Sequence, residues 1–182
     1  MCRHVVAIGD STAVALDTLG EQLAGVGVEV FWPDISGGRS IVERLGPQQN
    51  AVEVAEAARA NGYVGCWVLL LGTNDSANVA AGAQVGLDER IDRMMAAIGD
   101  APVLWVNAAT ASAKPYYTPA DMQAFNDALA RASFMYPNLR PYDWSAAARP
   151  EWYADDGIHF SPDGRIWRAA LIAQALARAF PA

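Results

Sequence analysis

Ser11 follows Gly9-Asp10 directly, where the apolar run Val5-Val6-Ala7-Ile8 gives way to a helical pattern. Near the other end of the chain, Asp156 stands three residues before His159. A serine hydroxyl becomes a nucleophile beside a base, and an imidazole base needs a carboxylate that fixes its tautomer and stabilises the imidazolium. The stretch Asp156-Gly157-Ile158-His159 can supply that pair within one turn of loop. The sequence holds two histidines, and His4 lies in the first apolar run, away from its carboxyl end. His159 is therefore the candidate base. The helix start after it favours a neutral ring while Asp156 favours the protonated one, so the two influences oppose. Taken singly, these are ordinary features: a Ser11 N-cap and a loop histidine capping the last helix.

Two further stretches could stabilise an oxyanion. Gly72-Thr73-Asn74-Asp75 follows the most hydrophobic run of the chain, and Ser36-Gly37-Gly38-Arg39-Ser40 follows the second. The Asn74 carboxamide, with the backbone N–H groups of Gly38 and Ser11, would make a three-donor hole for a tetrahedral intermediate. Either stretch alone is an ordinary turn. Asn74-Asp75-Ser76 also matches the glycosylation sequon, which a buried catalytic asparagine would make a false positive.

These residues need a scaffold that delivers them to one place. Strand-length apolar runs occur at His4–Gly9, Val28–Phe31, Cys66–Leu71, Val103–Asn107 and Leu139–Tyr142. Their near-continuous hydrophobicity suits strands of a parallel sheet buried on both faces. Between them the pattern predicts helices over Ala13–Ala24, Ile41–Ala60, Gln84–Ile98, Pro119–Tyr136 and Pro162–Ala179, the last with Ser161 as N-cap and Pro162 at its first position. Ser76–Ala83, Ala108–Thr118 and Asp143–Asp156 read as long loops. In an open α/β sheet, ligands bind beyond the carboxyl ends of the strands, so these loops should carry the chemistry.

In order and spacing, Gly9-Asp10-Ser11, Gly38, Gly72-Thr73-Asn74-Asp75 and Asp156-Gly157-Ile158-His159 resemble the four blocks of the SGNH/GDSL hydrolase family, over nearly the whole chain. Thr12 stands where the family's named tetrapeptide has Leu, a position variable in the family. The resemblance implies a flavodoxin-like, three-layer α/β/α fold with a five-stranded parallel sheet in the order 2-1-3-4-5. It implies Ser11 as nucleophile, His159 as base and Asp156 as its partner, with Ser11, Gly38 and Asn74 as oxyanion donors. The family's spacing selects Asp156 over Asp155, which reads as a solvated loop carboxylate. More narrowly, Tyr142-Asp143-Trp144 together with the segment from Trp152 to His159 looks like the extracytoplasmic SGNH domains fused to membrane acyltransferases that modify bacterial cell-wall polysaccharides.

The expected activity is that of a serine esterase, cleaving a short acyl group from a carbohydrate without a metal or organic cofactor. A carbohydrate O-acyltransferase with the same triad is the nearest alternative, and a non-catalytic carbohydrate-binding domain the alternative from another class. Trp152, Tyr153, Tyr116 and Tyr117 sit in the loops expected around the site, where they would either contact substrate or pin the loops. If strands one and three are neighbours, Cys2 and Cys66 fall at the same lower edge of the sheet. A disulfide is then the expectation, with two unpaired thiols as the alternative, and it would indicate an oxidising compartment.

Composition sets the outer bounds. A length of 182 residues fits one domain. With 13 basic against 20 acidic residues, the net charge of −7 argues against a nucleic-acid surface. Two histidines and two cysteines are too few for a typical His/Cys metal site. No run approaches the roughly 20 apolar residues of a membrane-spanning helix, and no signal peptide is visible. An extracytoplasmic domain whose targeting segment lies elsewhere is the expectation, a cytoplasmic protein the alternative. The oligomeric state is not legible.

Overall fold

The five strands that form are β1 (His4–Gly9), β2 (Val30–Ile35), β3 (Cys66–Leu70), β4 (Val103–Val106) and β5 (Leu139–Tyr142). In the computed structural model, which describes residues 1–13 and 17–181, they make one all-parallel sheet in the order β2-β1-β3-β4-β5. That is the order the resemblance implies. Apart from the exposed His4 that opens β1, the central strands β1, β3 and β4 carry only apolar residues because both faces of the sheet are covered. Val6 and Ile8 of β1, with Trp67 and Leu69 of β3, face one way, against α2 (Ala51–Ala60), α4 (Leu87–Ile98) and α5 (Pro119–Met135). Val5 and Ala7, with Val68 and Leu70, face the other way, against α1 (Asp17–Gly25) and α7 (Pro162–Ala179). The result is three layers.

Several boundaries differ from the sequence expectation, each for a local reason. The second strand is Val30–Ile35, two residues later than expected, because the Val28 N–H is taken by the Leu23 carbonyl and pairing with β1 runs from His4–Val30 to Gly9–Ile35. Pro33 is tolerated because β2 is an edge strand. The helix expected over Ile41–Ala60 forms only from Ala51, where Asn50 and Glu53 make a capping box; the preceding residues are loop, held by buried charge. Ser76 to Ala80, read as loop, belongs instead to α3 (Thr73–Ala80), where the Ser76 N–H and hydroxyl both donate to the Gly72 carbonyl. Inside the long loop after β5 lie α6 (Trp144–Ala147), capped by Asp143, and a short 3-10 turn at Pro150–Trp152. The fourth helix starts at Leu87 and the fifth stops at Met135. The start expected for the first helix falls partly on residues outside those described. The final helix spans Pro162–Ala179, with the Ser161 hydroxyl oxygen accepting from Gly164 N–H, as expected.

Cys2 and Cys66 are joined by a disulfide, Cα atoms 5.6 Å apart, at the amino ends of β1 and β3. Among the described residues no helix is long and apolar enough to cross a membrane.

Candidate active site

The carboxyl ends of the strands converge on Ser11. β1 ends at Gly9, the Asp10 N–H donates to Leu70 O of β3 at 3.1 Å, and Ser11–Ala13 form a single 3-10 turn. The Ser36 N–H donates to Gly9 O at 3.1 Å, which brings the loop carrying Gly38 to the same end of β1. The β-bridge between Tyr153 and Phe160 folds the segment between them into a hairpin-like loop, presenting His159 just ahead of α7.

His159 Nε2 lies 3.0 Å from Ser11 Oγ, and His159 Nδ1 lies 2.5 Å from Asp156 Oδ2. The other Asp156 oxygen, Oδ1, accepts the N–H groups of Ile158 (2.8 Å) and His159 (2.9 Å). Gly157 makes this turn possible: its φ of +67° is left-handed, and a Cβ there would meet the Ala111 and Ser112 backbone at 2.9 Å. Partial burial raises the Asp156 carboxyl, but the hydrogen bonds from the His159 ring and the two N–H groups outweigh it, and the pKa falls to about 2. An anionic Asp156 accepts from Nδ1–H, leaving the Nε2 lone pair toward the serine hydroxyl.

Asn74 sits in the first turn of α3 with its carboxamide fixed at both ends. Its Nδ2 donates to Arg39 O at 3.0 Å, and its Oδ1 accepts from the Tyr117 hydroxyl at 3.4 Å. One Nδ2 proton is therefore uncommitted. Gly38 adopts φ +71°, and a Cβ would lie 2.7 Å from Leu45 Cδ2, so this turn requires glycine. Among the described residues, the N–H groups of Ser11 and Gly38 have no protein acceptor. Gly38, Asn74 and Tyr117 line one open groove of about 540 Å³, with Ser40, Arg44 and Asn78 along it.

The loop aromatics divide. Tyr117 reaches the groove and Asn74, while Tyr116 is half exposed beside it, in a left-handed conformation (φ 69°). Trp152 does not face substrate: it is buried and stacked on both Trp144 (5.8 Å) and Trp167 (5.9 Å). Its indole is more stabilised in that stack than on a wet rim. Tyr153 packs against Phe160 at 5.1 Å and is partly buried. Asp155 is exposed and outside the His159 contact.

The sequence reading missed the groups that hold this geometry. Arg39 is buried beside Gly38; its Nη1 donates to Asp34 O (2.5 Å) and its Nη2 pairs with the Asp34 carboxylate (2.8 Å). Asp75 and Arg90 form a fully buried pair at 2.9 Å, extended by Glu43, and Asp75 also accepts Ile41 N–H at 2.9 Å. Asp10 and Arg168 are buried as well. The available signal was a charge standing where its element reads apolar, as Arg168 does four residues before Ile172 on α7.

No family model and no curated protein matches the chain. Solved structures do match over its whole length. The C-terminal catalytic domain of peptidoglycan O-acetyltransferase A from Streptococcus pneumoniae aligns at TM-score 0.70 and 18% identity, covering 98% of this chain and 93% of that one. A candidate SGNH hydrolase from Slackia heliotrinireducens aligns at TM-score 0.67 and 22% identity, with 98% and 99% covered. A carbohydrate acetylesterase family member from Sinorhizobium meliloti aligns at TM-score 0.73 and 14% identity, with 97% and 98% covered. The chain has the α/β/α fold of the SGNH/GDSL hydrolases.

Proposed function

We propose that the protein is a serine esterase working through an acyl-enzyme on Ser11, with a short acyl group on a carbohydrate as its substrate. The observation that carries this reading is the continuous chain Ser11 Oγ–His159 Nε2 (3.0 Å) and His159 Nδ1–Asp156 Oδ2 (2.5 Å). Ser11 Oγ attacks the ester carbonyl as its proton passes to His159 Nε2. Asp156, held anionic by three hydrogen bonds, stabilises the imidazolium without taking the proton. Negative charge grows on the former carbonyl oxygen and is met by Ser11 N–H, Gly38 N–H and the free proton of Asn74 Nδ2. Collapse expels the alcohol with the proton from His159. Water then attacks the acyl-serine by the same route and returns Ser11.

The carbohydrate assignment draws on the polar side chains that line part of the groove (Ser40, Asn78, Tyr117) and on the fold shared with a carbohydrate acetylesterase family member. An O-acyltransferase reading is favoured by the likeness to the peptidoglycan O-acetyltransferase domain, and it differs only in releasing the acyl group to a sugar hydroxyl. The Cys2–Cys66 disulfide supports an extracytoplasmic location for either activity. Hydrolysis of short- and long-chain p-nitrophenyl esters by wild type and Ser11→Ala tests the reading. Short-chain turnover that falls at least about 10³-fold in the variant is expected; equal rates would overturn it. Adding an oligosaccharide to an activated acetyl ester separates the two activities, because transfer outpacing hydrolysis would make the protein a transferase.

A further inference from the structure

Arg168 touches both halves of the site, although it lies one helical stretch beyond it. From α7 its Nη1 donates to Thr12 O at 2.9 Å, one residue from Ser11. Its guanidinium lies 5.0 Å from the ring of Phe160, one residue from His159, and 5.5 Å from that of Trp144. Asp10 secures the same turn from beneath: its Oδ1 accepts the Thr12 N–H (2.8 Å) and the Thr12 hydroxyl (2.7 Å). Both charged residues are almost completely buried, and burying a charge is costly unless another group compensates it. Neither takes part in the proton path.

We propose that Arg168 and Asp10 are positioning residues, two buried groups that both grip Thr12 and so hold the Ser11 turn against the His159 loop. The inference rests on the reading of Ser11 and His159 given above. Ser11 and His159 are 148 residues apart, and the contact between them depends on β1 and α7 keeping one relative position. Thr12 is the shared fastening point, with its carbonyl on Arg168 and its N–H and hydroxyl on Asp10. Burial pulls the Arg168 guanidinium down to about 10, so it stays cationic at neutral pH. Burial pushes the Asp10 carboxyl up, while the Thr12 bonds, Arg168 and His159 favour the anion. Asp156 on the His159 loop, Tyr153 across the bridge to Phe160, and Arg165, which donates to Phe160 O, make no bond to Thr12.

The test uses two readouts on the intact chain. With two histidines in the sequence, the His159 ring resonances can be followed by NMR at one fixed pH whether or not the protein hydrolyses esters. Asp10→Asn weakens the acceptor for the Thr12 N–H and hydroxyl, and Arg168→Met removes the donor to the Thr12 carbonyl; each should shift the His159 Nε2 resonance, because the Ser11 hydroxyl 3.0 Å away is displaced. Both variants should lose about tenfold or more in kcat with KM within about twofold, since misplacement of the turn costs rate and not binding. Arg168→Lys, which keeps a donor for the Thr12 carbonyl, should recover part of the rate that Arg168→Met loses. An unmoved His159 resonance in folded Asp10→Asn overturns the proposal, as does a kcat within twofold of an active wild type. If Arg168→Met does not fold, Asp10→Asn alone decides. If wild type hydrolyses no ester, the esterase reading fails and the NMR comparison still decides whether the Thr12 fastening positions Ser11 against His159.

Discussion

Asp156 uses its two oxygens for different purposes, one toward the His159 ring and one toward the N–H groups that shape its own loop. Replacing it by Asn keeps the shape and changes the donor pattern, so Asp156→Asn should lower kcat roughly 10²–10⁴-fold with KM little changed, measured by steady-state kinetics. Because the folded carboxyl titrates near 2, below the ordinary 3.8, its contribution to stability is present above about pH 4 and is lost as pH falls toward 2. Urea midpoints of wild type and Asp156→Asn should therefore converge across that interval. The Asn74 carboxamide likewise serves two purposes. Removing its carboxamide leaves the Arg39 carbonyl without a partner and the developing oxyanion without a donor. Asn74→Ala should cost roughly 10²–10³-fold in kcat, and an effect confined to KM would show that Asn74 only binds substrate.

Between β2 and α2 the chain runs from Ser36 to Asn50 without helix or regular strand, and buried charges do the work that a hydrogen-bonded ladder does elsewhere. Arg39 ties the loop to Asp34, while Asp75 of α3, with Arg90 of α4, holds Ile41 N–H. Burial pushes the Asp75 carboxyl up to about 6, although the Ile41 N–H and the Arg90 guanidinium pull it down. A folded value above the ordinary 3.8 means that this group's stabilising contribution is complete below about pH 4 and is lost as pH rises through about 6. Arg90→Met would leave the Asp75 charge buried without its counter-ion. Unfolding by urea should show a loss of about 3–5 kcal/mol at pH 8, and a smaller loss at pH 5, where Asp75 takes up a proton. Equal losses at both pH values would show that packing around the Arg90 stem, not charge, is what matters. This element was illegible in the sequence because its order comes in part from the ion pairs of Arg90 with Asp75 and Glu43, 15 and 47 positions away, which leave no periodicity.

Across the whole molecule, the parallel sheet separates what stabilises the chain from what reacts. The disulfide joins the amino ends of β1 and β3, and Ser11 lies past the carboxyl end of β1. A six-residue strand puts about 20 Å between those edges. The bridge closes a sequence separation of 64 residues, for which chain entropy gives about 4 kcal/mol of stabilisation. Reduction, or Cys66→Ser, should lower Tm by the corresponding amount while leaving kcat within about twofold at 25 °C, as read by thermal unfolding and ester hydrolysis on the same sample. A proportional fall in activity at temperatures where the protein remains folded would show that the two edges are coupled.

Sequence by itself determined the strands and their alternation with helices, because runs buried on both faces must be apolar throughout, and it singled out Ser11, Asp156, His159, Gly38 and Asn74 by residue type and order. The start of α7 was equally legible, since Ser161 and Pro162 act through local backbone geometry. Tertiary structure alone decided which aromatics face the groove: Trp152 is committed to its stack with Trp144 and Trp167, while Tyr117 reaches Asn74. It also decided how the reacting groups are held, through Arg39, the Asp75–Arg90 pair and the Asp10–Thr12–Arg168 fastening. The physical reason is range. Capping and burial patterns are written in neighbouring residues, whereas a buried charge is compensated by whatever partner the fold brings to it.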